Sequence, residues 1–182
     1  MACLASRGRR EPCKDVVGGL NAVYFVDFGN LGTITESNDE ITDVSGTFNA
    51  YRYFLKGTSS FEQTINASRE NGTVFVEQTL NLTLKKMTKE DHKEIKLLSY
   101  GRPHIVVEDR NGNAFIMGLD HGADCSGGTI VTGSAFGDLS GYTLTFSSQE
   151  KRPANFLEGP TAANPFAGCA AATVTVTDGT DF

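Results

Sequence analysis

The sequence predicts a mainly β fold: a β-sandwich or barrel with one long β-hairpin and one short flanking helix at about residues 88–100. Runs rich in Val, Thr and Phe alternate with turn residues, and the 182 residues include 20 glycines and no tryptophan. One stretch, MTKEDHKEIKLLSYGRP, has the start and stop signals of a helix. A chain of this length buries roughly 70% of its unfolded surface, which predicts one domain with arms.

The first 19 residues are predicted to form an arm. They show no periodicity and carry four basic residues between glycines: Arg7, Arg9, Arg10 and Lys14. Such a segment is either a frayed terminus or an arm that becomes ordered against an acidic neighbouring subunit. The β domain is expected over residues 20–157, and its first run, LNAVYFVDF, is apolar and β-branched enough to predict a mostly buried strand.

Two further strand regions precede the hairpin. Residues 31–44 are polar and acidic with Ile34 and Ile41 as apolar anchors, which predicts short strands and a loop with the acids facing solvent. Residues 47–55, TFNAYRYFL, form a β-like run whose alternation is imperfect. A turn at 56–58 then leads into the hairpin.

The long hairpin is the strongest architectural signal. Phe61, Gln63 and Ile65 alternate with polar residues, and Asn71-Gly72 is expected to supply the positive φ angles of the turn. The return run, 73–86, spans about 45 Å if extended at roughly 3.3 Å per residue. Its apolar face is formed by Val74, Val76, Gln78, Leu80, Leu82 and Leu84. Because strands usually have five or six residues, we expect this sheet to extend beyond a compact sandwich and to contact a neighbour.

The helix is predicted to begin after Thr88 as N-cap and to stop at Gly101. A second hairpin should turn at Arg110-Asn111-Gly112 through another primed turn. The Gly/Ser/Thr-rich segment 122–141 is expected to be a mobile loop or an irregular strand. The run YTLTFSSQE then closes the core, with three apolar residues on one face: Tyr142, Leu144 and Phe146.

The C-terminal residues 158–182 are predicted to be a linker followed by a short strand at 173–177, which can fold back or add to a neighbour's sheet.

Composition narrows the function classes. A net charge of −6 and a pI near 5 disfavour a high-affinity nucleic-acid binder. No apolar run is long enough for a transmembrane helix, and MACLASRGRREPCKD lacks the apolar core of a signal peptide, so we expect synthesis and folding in the cytoplasm. The four widely spaced cysteines form no CxxC pair and are expected to be reduced structural thiols, although Cys3 and Cys13 could pair in an oxidising medium.

The most tempting chemistry lies in five clustered polar residues: Asp120, His121, Asp124, Cys125 and Ser126. The order Asp-Cys-Ser-Gly-Gly is similar to a serine protease nucleophile segment, but Cys125 interrupts it and no partner His and Asp are indicated. A metal site would need ligands that no spacing supplies. His92 and His104 are expected to be surface or rim residues. The prediction is therefore a protein without catalytic, cofactor or metal site.

The order of elements carries a family resemblance. The carriers are SFEQTINASRENGTVFVEQTLNLTLKK, the helix EDHKEIKLL, then HIVVEDRNGNAFIMGLDHG, and TGSAFGDLSGYTLTFSSQEKRPANFL. From about Cys13 to Leu157 the chain resembles the tail tube, or major tail, proteins of tailed bacteriophages, and most of all virion structural proteins of phages that infect Bacteroidetes.

The resemblance implies hexameric rings whose inner strands join into a lumenal barrel, stacked into a tube that conducts DNA. It also implies assembly in the host cytoplasm, residence in the virion tail, and contacts with other tail and neck proteins. Glu62, Glu77 and Asp138 are the predicted lumenal acids. The predicted interface residues are Arg7, Arg9, Arg10, Phe61, Asn71, Gly72, Phe75, Asp124, Gly127 and Gly128.

Three other function classes stay open. One is a different virion ring or decoration protein, such as a neck, tail-completion or capsid decoration protein. Another is a carbohydrate- or receptor-binding β module, although such modules usually display Trp, which this chain lacks. The third, a hydrolase, would depend on Ser126 and His121.

Overall fold

A computed structural model describes residues 7–10 and 13–179, which form two β-sheets and one helix. This mainly β sandwich with a flanking helix confirms the predicted fold class. The elements are β1 (Leu20–Val26), β2 (Ile34–Ser37), β3 (Glu40–Val44), β4 (Thr47–Phe54), β5 (Ser60–Ser68), β6 (Thr73–Lys85), α1 (Lys89–Tyr100), β7 (His104–Asp109), β8 (Ala114–Met117), β9 (Asp124–Val131), β10 (Gly141–Glu150), β11 (Asn155–Leu157) and β12 (Thr173–Asp178).

The larger sheet has eight strands in the order β12-β4-β1-β7-β8-β11-β3-β2. The smaller has four in the order β5-β6-β10-β9, all paired antiparallel. Strand β12 returns to the same chain and pairs parallel with β4. Arg52 of β4 fixes this edge with a bidentate contact to the Asp178 carboxylate, in which Nε lies 2.5 Å from Oδ1.

Strand β1 is buried on both faces, as its uninterrupted apolar run predicts. Ala22, Tyr24 and Val26 belong to a cluster on one side of the eight-stranded sheet. Val23 and Phe25 belong to a second cluster, which fills the space between the two sheets. Strands β6 and β10 contribute the facing side chains of this second cluster: Leu80, Leu82, Tyr142, Leu144 and Phe146.

The segment after Leu157 is part of the core, whereas the sequence predicts a linker there. Phe166 is 1% exposed and Cys169 is 4% exposed. The Phe166 ring meets that of Phe48 edge-on, with centroids 5.1 Å apart. Because 158–172 has no regular period, its three buried residues, Pro165, Phe166 and Cys169, give no pattern that sequence analysis recognises.

Both hairpin turns differ from the primed two-residue turns that the sequence predicts. In the long hairpin Ser68 pairs with Thr73 across a four-residue loop, and Gly72 alone of the loop has positive φ, at 64°. In the second hairpin Gly112 has φ 85°, and the Asp109 carboxylate accepts hydrogen bonds from the backbone N–H groups of Asn111 and Asn113. Side-chain capping by Ser68 and Asp109 replaces the second left-handed residue.

Helix α1 matches its predicted start. Thr88 caps it by accepting a hydrogen bond from the Asp91 backbone N–H at 3.1 Å, and Ile95 is its buried anchor. Gly101 ends the helix, as predicted, in an extended conformation with φ −85° and ψ 173°. Pro103 disfavours helical backbone at Arg102, which explains the stop. No helix within the described residues is long and apolar enough to cross a membrane.

We expect Phe166→Ala to lower the free energy of unfolding by about 3 to 5 kcal/mol, because it leaves a cavity between residues 158–172 and β4, where the ring is fully enclosed. Chemical denaturation measures this change. Phe136→Ala is the matched control, since Phe136 is fully exposed and its truncation should change stability by less than about 0.5 kcal/mol. Equal stability of the two variants would show that 158–172 is a dispensable linker.

Candidate functional site

The candidate site is a surface, the outward side of the four-stranded sheet, which we call the open face. The register places Glu62 beside Thr79, Thr79 beside Ser147, and Glu77 beside Gln149, so these side chains share one side. The opposite side carries the buried residues that pack on the eight-stranded sheet. The open face is therefore the side of the small sheet that no element of the core covers.

Hydroxyl, amide and carboxylate groups make up this face. Thr145 donates a hydrogen bond to Asn81 at 2.9 Å, and Thr129 and Thr143 form a second cross-strand pair. Two of the predicted lumenal acids, Glu62 and Glu77, lie here. The remaining members are Thr64, Asn66, Ser68, Thr73, Phe75, Thr83, Lys85, Asp124, Gly127, Val131 and Gly141.

The charge of the open face is negative. Its strands contribute Glu62, Glu77 and Asp124 against one cation, Lys85, whose ammonium donates to the Lys56 carbonyl at the sheet's end. Such a surface offers a phosphate backbone no cluster of cations, and Phe75 is the one aromatic side chain that the four strands place on it.

Two predicted interface residues lie on opposite sides of the hairpin. Phe75 is on the open face and is 38% exposed. Phe61 points inward, packs against the core between the sheets, and lies 6.3 Å from the Phe115 ring, so it is not on the open face, and its assignment to an interface stays a prediction. Alternation alone does not tell which side of an isolated hairpin faces the core. Asn71 and Gly72 lie in the exposed loop at the hairpin tip.

Strand β9 occupies part of the segment for which the sequence predicts a mobile loop. Asp124, Gly127 and Gly128 lie on this strand, which pairs with β10 through a register shift near Ser126. A Cβ added at Gly128 would lie 2.5 Å from the Thr143 carbonyl oxygen, so close backbone approach requires this glycine. Consecutive glycines hide the alternation from which strands are recognised.

A groove of about 470 Å³ runs between α1 and β9. Ile95, Leu144 and Ile130 line its floor, and Ile130 is 52% exposed. His92 and Lys96 of the helix stand at its side. Since β9 is an edge strand, the groove presents apolar side chains next to a strand edge.

Asp138 lies in the loop between β9 and β10 and not on the open face. One carboxylate oxygen accepts hydrogen bonds from the backbone N–H groups of Ala135 and Ser134, at 2.8 and 2.9 Å, and from the Ser134 hydroxyl. The bond from Ala135 contributes most to lowering the pKa of Asp138 below its ordinary value. Asp138 therefore closes this loop, and its lumenal role stays a prediction.

The N-terminal arm is exposed where the structure describes it. Arg7, Arg9 and Arg10 are all exposed, and Val16 is 71% exposed. The arm is attached through Val17, whose backbone exchanges two hydrogen bonds with the Asn111 side chain. Cys13, Cys125 and Cys169 are free thiols, while Cys3 lies outside the described residues.

The five-residue polar cluster around Cys125 serves local structure. The buried Glu150 carboxylate accepts hydrogen bonds from the backbone N–H groups of Asp120 and His121, and its other oxygen lies 3.1 Å from His121 Nδ1. The Ser126 hydroxyl donates to the Thr145 carbonyl. The described residues include no group of three or more His, Cys, Asp or Glu side chains arranged to hold a metal ion.

His104 is buried, at 4% exposure, so its prediction as a rim residue is wrong. Its Nδ1 lies 2.7 Å from the Gly118 carbonyl and must carry the proton, while Nε2 accepts from the Gly29 backbone N–H at 3.1 Å. The contact with Gly29 requires neutral imidazole, and burial lowers the pKa of His104 below its ordinary value. This ring ties the Gly29 and Gly118 loops to the start of β7.

Comparisons with family models, curated proteins and solved structures gave no match to this chain.

We expect the contribution of His104 to stability to be fully present above pH 6.5 and to be lost as the pH falls towards the lower pKa of the folded state. In that range the unfolded chain binds a proton at this histidine that the folded chain does not bind. Urea denaturation between about pH 8 and pH 5 measures it. His104→Gln should flatten this dependence, whereas His92→Gln, on the exposed side of α1, should keep it. An identical pH dependence in wild type and His104→Gln would contradict the assignment.

Proposed function

We propose that the chain is a non-enzymatic structural subunit of a phage virion, which self-assembles into stacked, hexameric rings that form the tail tube for DNA passage. The observation that carries the proposal is the small sheet, which has one open acidic face and two edge strands available for pairing. The resemblance in element order supports the same assembly.

The strand directions allow copies to pair side by side. Strand β5 is antiparallel to β6, β6 to β10, and β10 to β9, so β9 runs opposite to β5. Placing β9 of one copy beside β5 of the next therefore continues an antiparallel ladder. Such a head-to-tail contact is heterologous and generates a ring when the rotation closes.

The size of that ring suits a conduit. Six copies of a four-stranded sheet make a barrel of twenty-four strands. With strands about 4.8 Å apart and tilted by about 40°, the barrel is about 50 Å across between backbones. Porins with fewer strands already enclose an aqueous channel.

The groove beside β9 gives the lateral contact an apolar component. An added strand at this edge would place alternate side chains over Ile95, Ile130 and Leu144. Its other side chains would join the open face and extend the wall. Backbone pairing and apolar burial then act at one interface, as strand addition requires.

The open face forms the lumen in this arrangement. Glu62, Glu77 and Asp124 repeat around the ring and repel phosphate, while the threonine and serine hydroxyls contact water without selecting a base sequence. DNA passes such a wall without binding it.

Electron microscopy of the purified protein at high concentration tests the proposal. We expect six-fold rings stacked into hollow tubes, with the same rings in virion tails. A protein that stays monomeric at every concentration and is missing from virion tails would contradict the proposal.

The lateral contact has a separate test. Ile130→Asp should prevent ring formation, because it puts a carboxylate into the groove that the neighbouring strand covers. Analytical ultracentrifugation should find a monomer with the wild-type melting temperature, since Ile130 is half exposed in the single chain. Val16→Asp, the same kind of change on the exposed arm, should still form rings. Rings of normal abundance from Ile130→Asp would exclude the β9 edge as the contact.

A further inference from the structure

We propose that copies of this chain bind end to end through Phe136, which contacts an apolar stripe on the hairpin tip of the next copy. The stripe consists of Ile65, Ala67 and Val74. This inference rests on the proposed tube, in which successive rings need a longitudinal contact, and it assigns that contact to specific residues.

Phe136 is the most exposed large apolar side chain among the described residues. It sits at the apex of the loop between β9 and β10, which the Asp138 carboxylate closes through three hydrogen bonds. A further backbone bond joins Asp138 N–H to the Ala135 carbonyl at 3.1 Å. The loop therefore holds the phenyl ring out in solvent, where it costs free energy unless a partner covers it.

The hairpin tip carries a matching apolar surface. Strand β10 ends its pairing with β6 where Glu150 meets Val76, so the hairpin continues beyond it without a third strand. Ala67 pairs with Val74 and Ile65 with Val76 on the side that packs on the core lower down. Ile65 is 66% exposed and Val74 is 59% exposed. The apolar side of the hairpin therefore extends beyond the core, and its side chains near the tip remain exposed.

These two features lie at opposite ends of one sheet. The Phe136 loop joins β9 and β10 at the end where Gly141 pairs with Lys85, and the tip lies at the other end of β6. The thirteen residues of β6 span about 43 Å at roughly 3.3 Å each. A translation along the strands by about one sheet length brings Phe136 of one copy onto the tip of the next. A surface at one end and its complement at the other make an open, repeating contact between identical chains.

Charges at the two ends also match. The tip loop carries Arg69 and Glu70, both exposed, and neither forms an ion pair with another described residue. The Phe136 end carries Asp138 and three lysines, Lys56, Lys85 and Lys86. Stacking head to tail brings Glu70 of one copy towards these lysines and Arg69 towards Asp138, and this charge complementarity favours a second copy as the partner over an apolar surface without charge.

Replacement of Phe136 separates stacking from ring formation. Phe136→Ser should leave the melting temperature and the six-fold rings unchanged and raise the concentration needed for tubes about tenfold or more, as loss of a central aromatic anchor does. Tyr100→Ser is the matched control, because Tyr100 on α1 is 79% exposed and belongs to neither the Phe136 loop nor the hairpin. Tubes that form at the wild-type concentration in Phe136→Ser would overturn the inference.

A photocrosslinking experiment identifies the partner segment directly. Benzoylphenylalanine is introduced at position 136 in full-length protein, which is mixed with isotope-labelled wild-type chain, and crosslinked peptides are mapped by mass spectrometry. We expect intermolecular crosslinks to the hairpin tip, residues 65–74. The same probe at position 100 should not reach them.

The two proposals fail separately. Tubes in which position 136 crosslinks elsewhere, or not at all, would overturn the Phe136 contact and leave the tube proposal standing. Filaments without rings in which position 136 crosslinks to the hairpin tip would support the contact and remove the closed tube.

Discussion

The structure depends on burying one side of a four-stranded sheet against an eight-stranded one. Phe25 of β1 meets Phe146 of β10 with ring centroids 5.4 Å apart, in a cluster that both sheets and α1 share. Burial of this seam is the main apolar driving force that joins the sheets. Because side chains alternate along a strand, committing one side to the core commits the other to the outside. The open face is thus a consequence of the same register that makes the core.

Buried polar groups between the two sheets fix that register. The buried Gln78 side chain accepts a hydrogen bond from the Gly118 backbone N–H at 3.0 Å, and Gly118 in turn accepts from His104. Glu150 performs the same task at the end of β10. Among the described residues, each buried side-chain nitrogen or oxygen has a partner. A slip by one residue would leave these groups unpaired and expose the apolar set, so the pairing is strongly specified.

Sequence patterns predict the parts of this fold in which a period survives. The buried strand β1, the face of β6 and the Thr88-capped helix all have local signals that the structure repeats. The parts of the fold that the sequence patterns do not predict depend on contacts between residues far apart in the chain. Phe61 turns inward because Phe115 lies there, His104 is buried because the Gly118 and Gly29 loops close over it, and β9 is a strand because β10 pairs with it despite two glycines. The same limit applies to the surface residues. Alternation along the strands predicts the positions of Glu62 and Glu77, whereas Asp138 closes a loop that has no periodic pattern.

The edges of the two sheets differ in a way that bears on assembly. Monomeric β proteins protect their edges with charges, prolines, bulges or covering segments. The large sheet does so: Arg52 pairs with Asp178 on β12, and Glu36 of β2 pairs with Arg152. In the small sheet, β5 has the sequence SFEQTINAS with one charge and no proline, and β9 continues regularly after its bulge from Gly127 to Val131. The large sheet therefore has protected edges, and the small sheet does not. This difference is expected if the small sheet pairs with further copies. Contact with further copies would also account for the hairpin's length, since Ile65 and Val74 near its tip stay more than half exposed in a single chain.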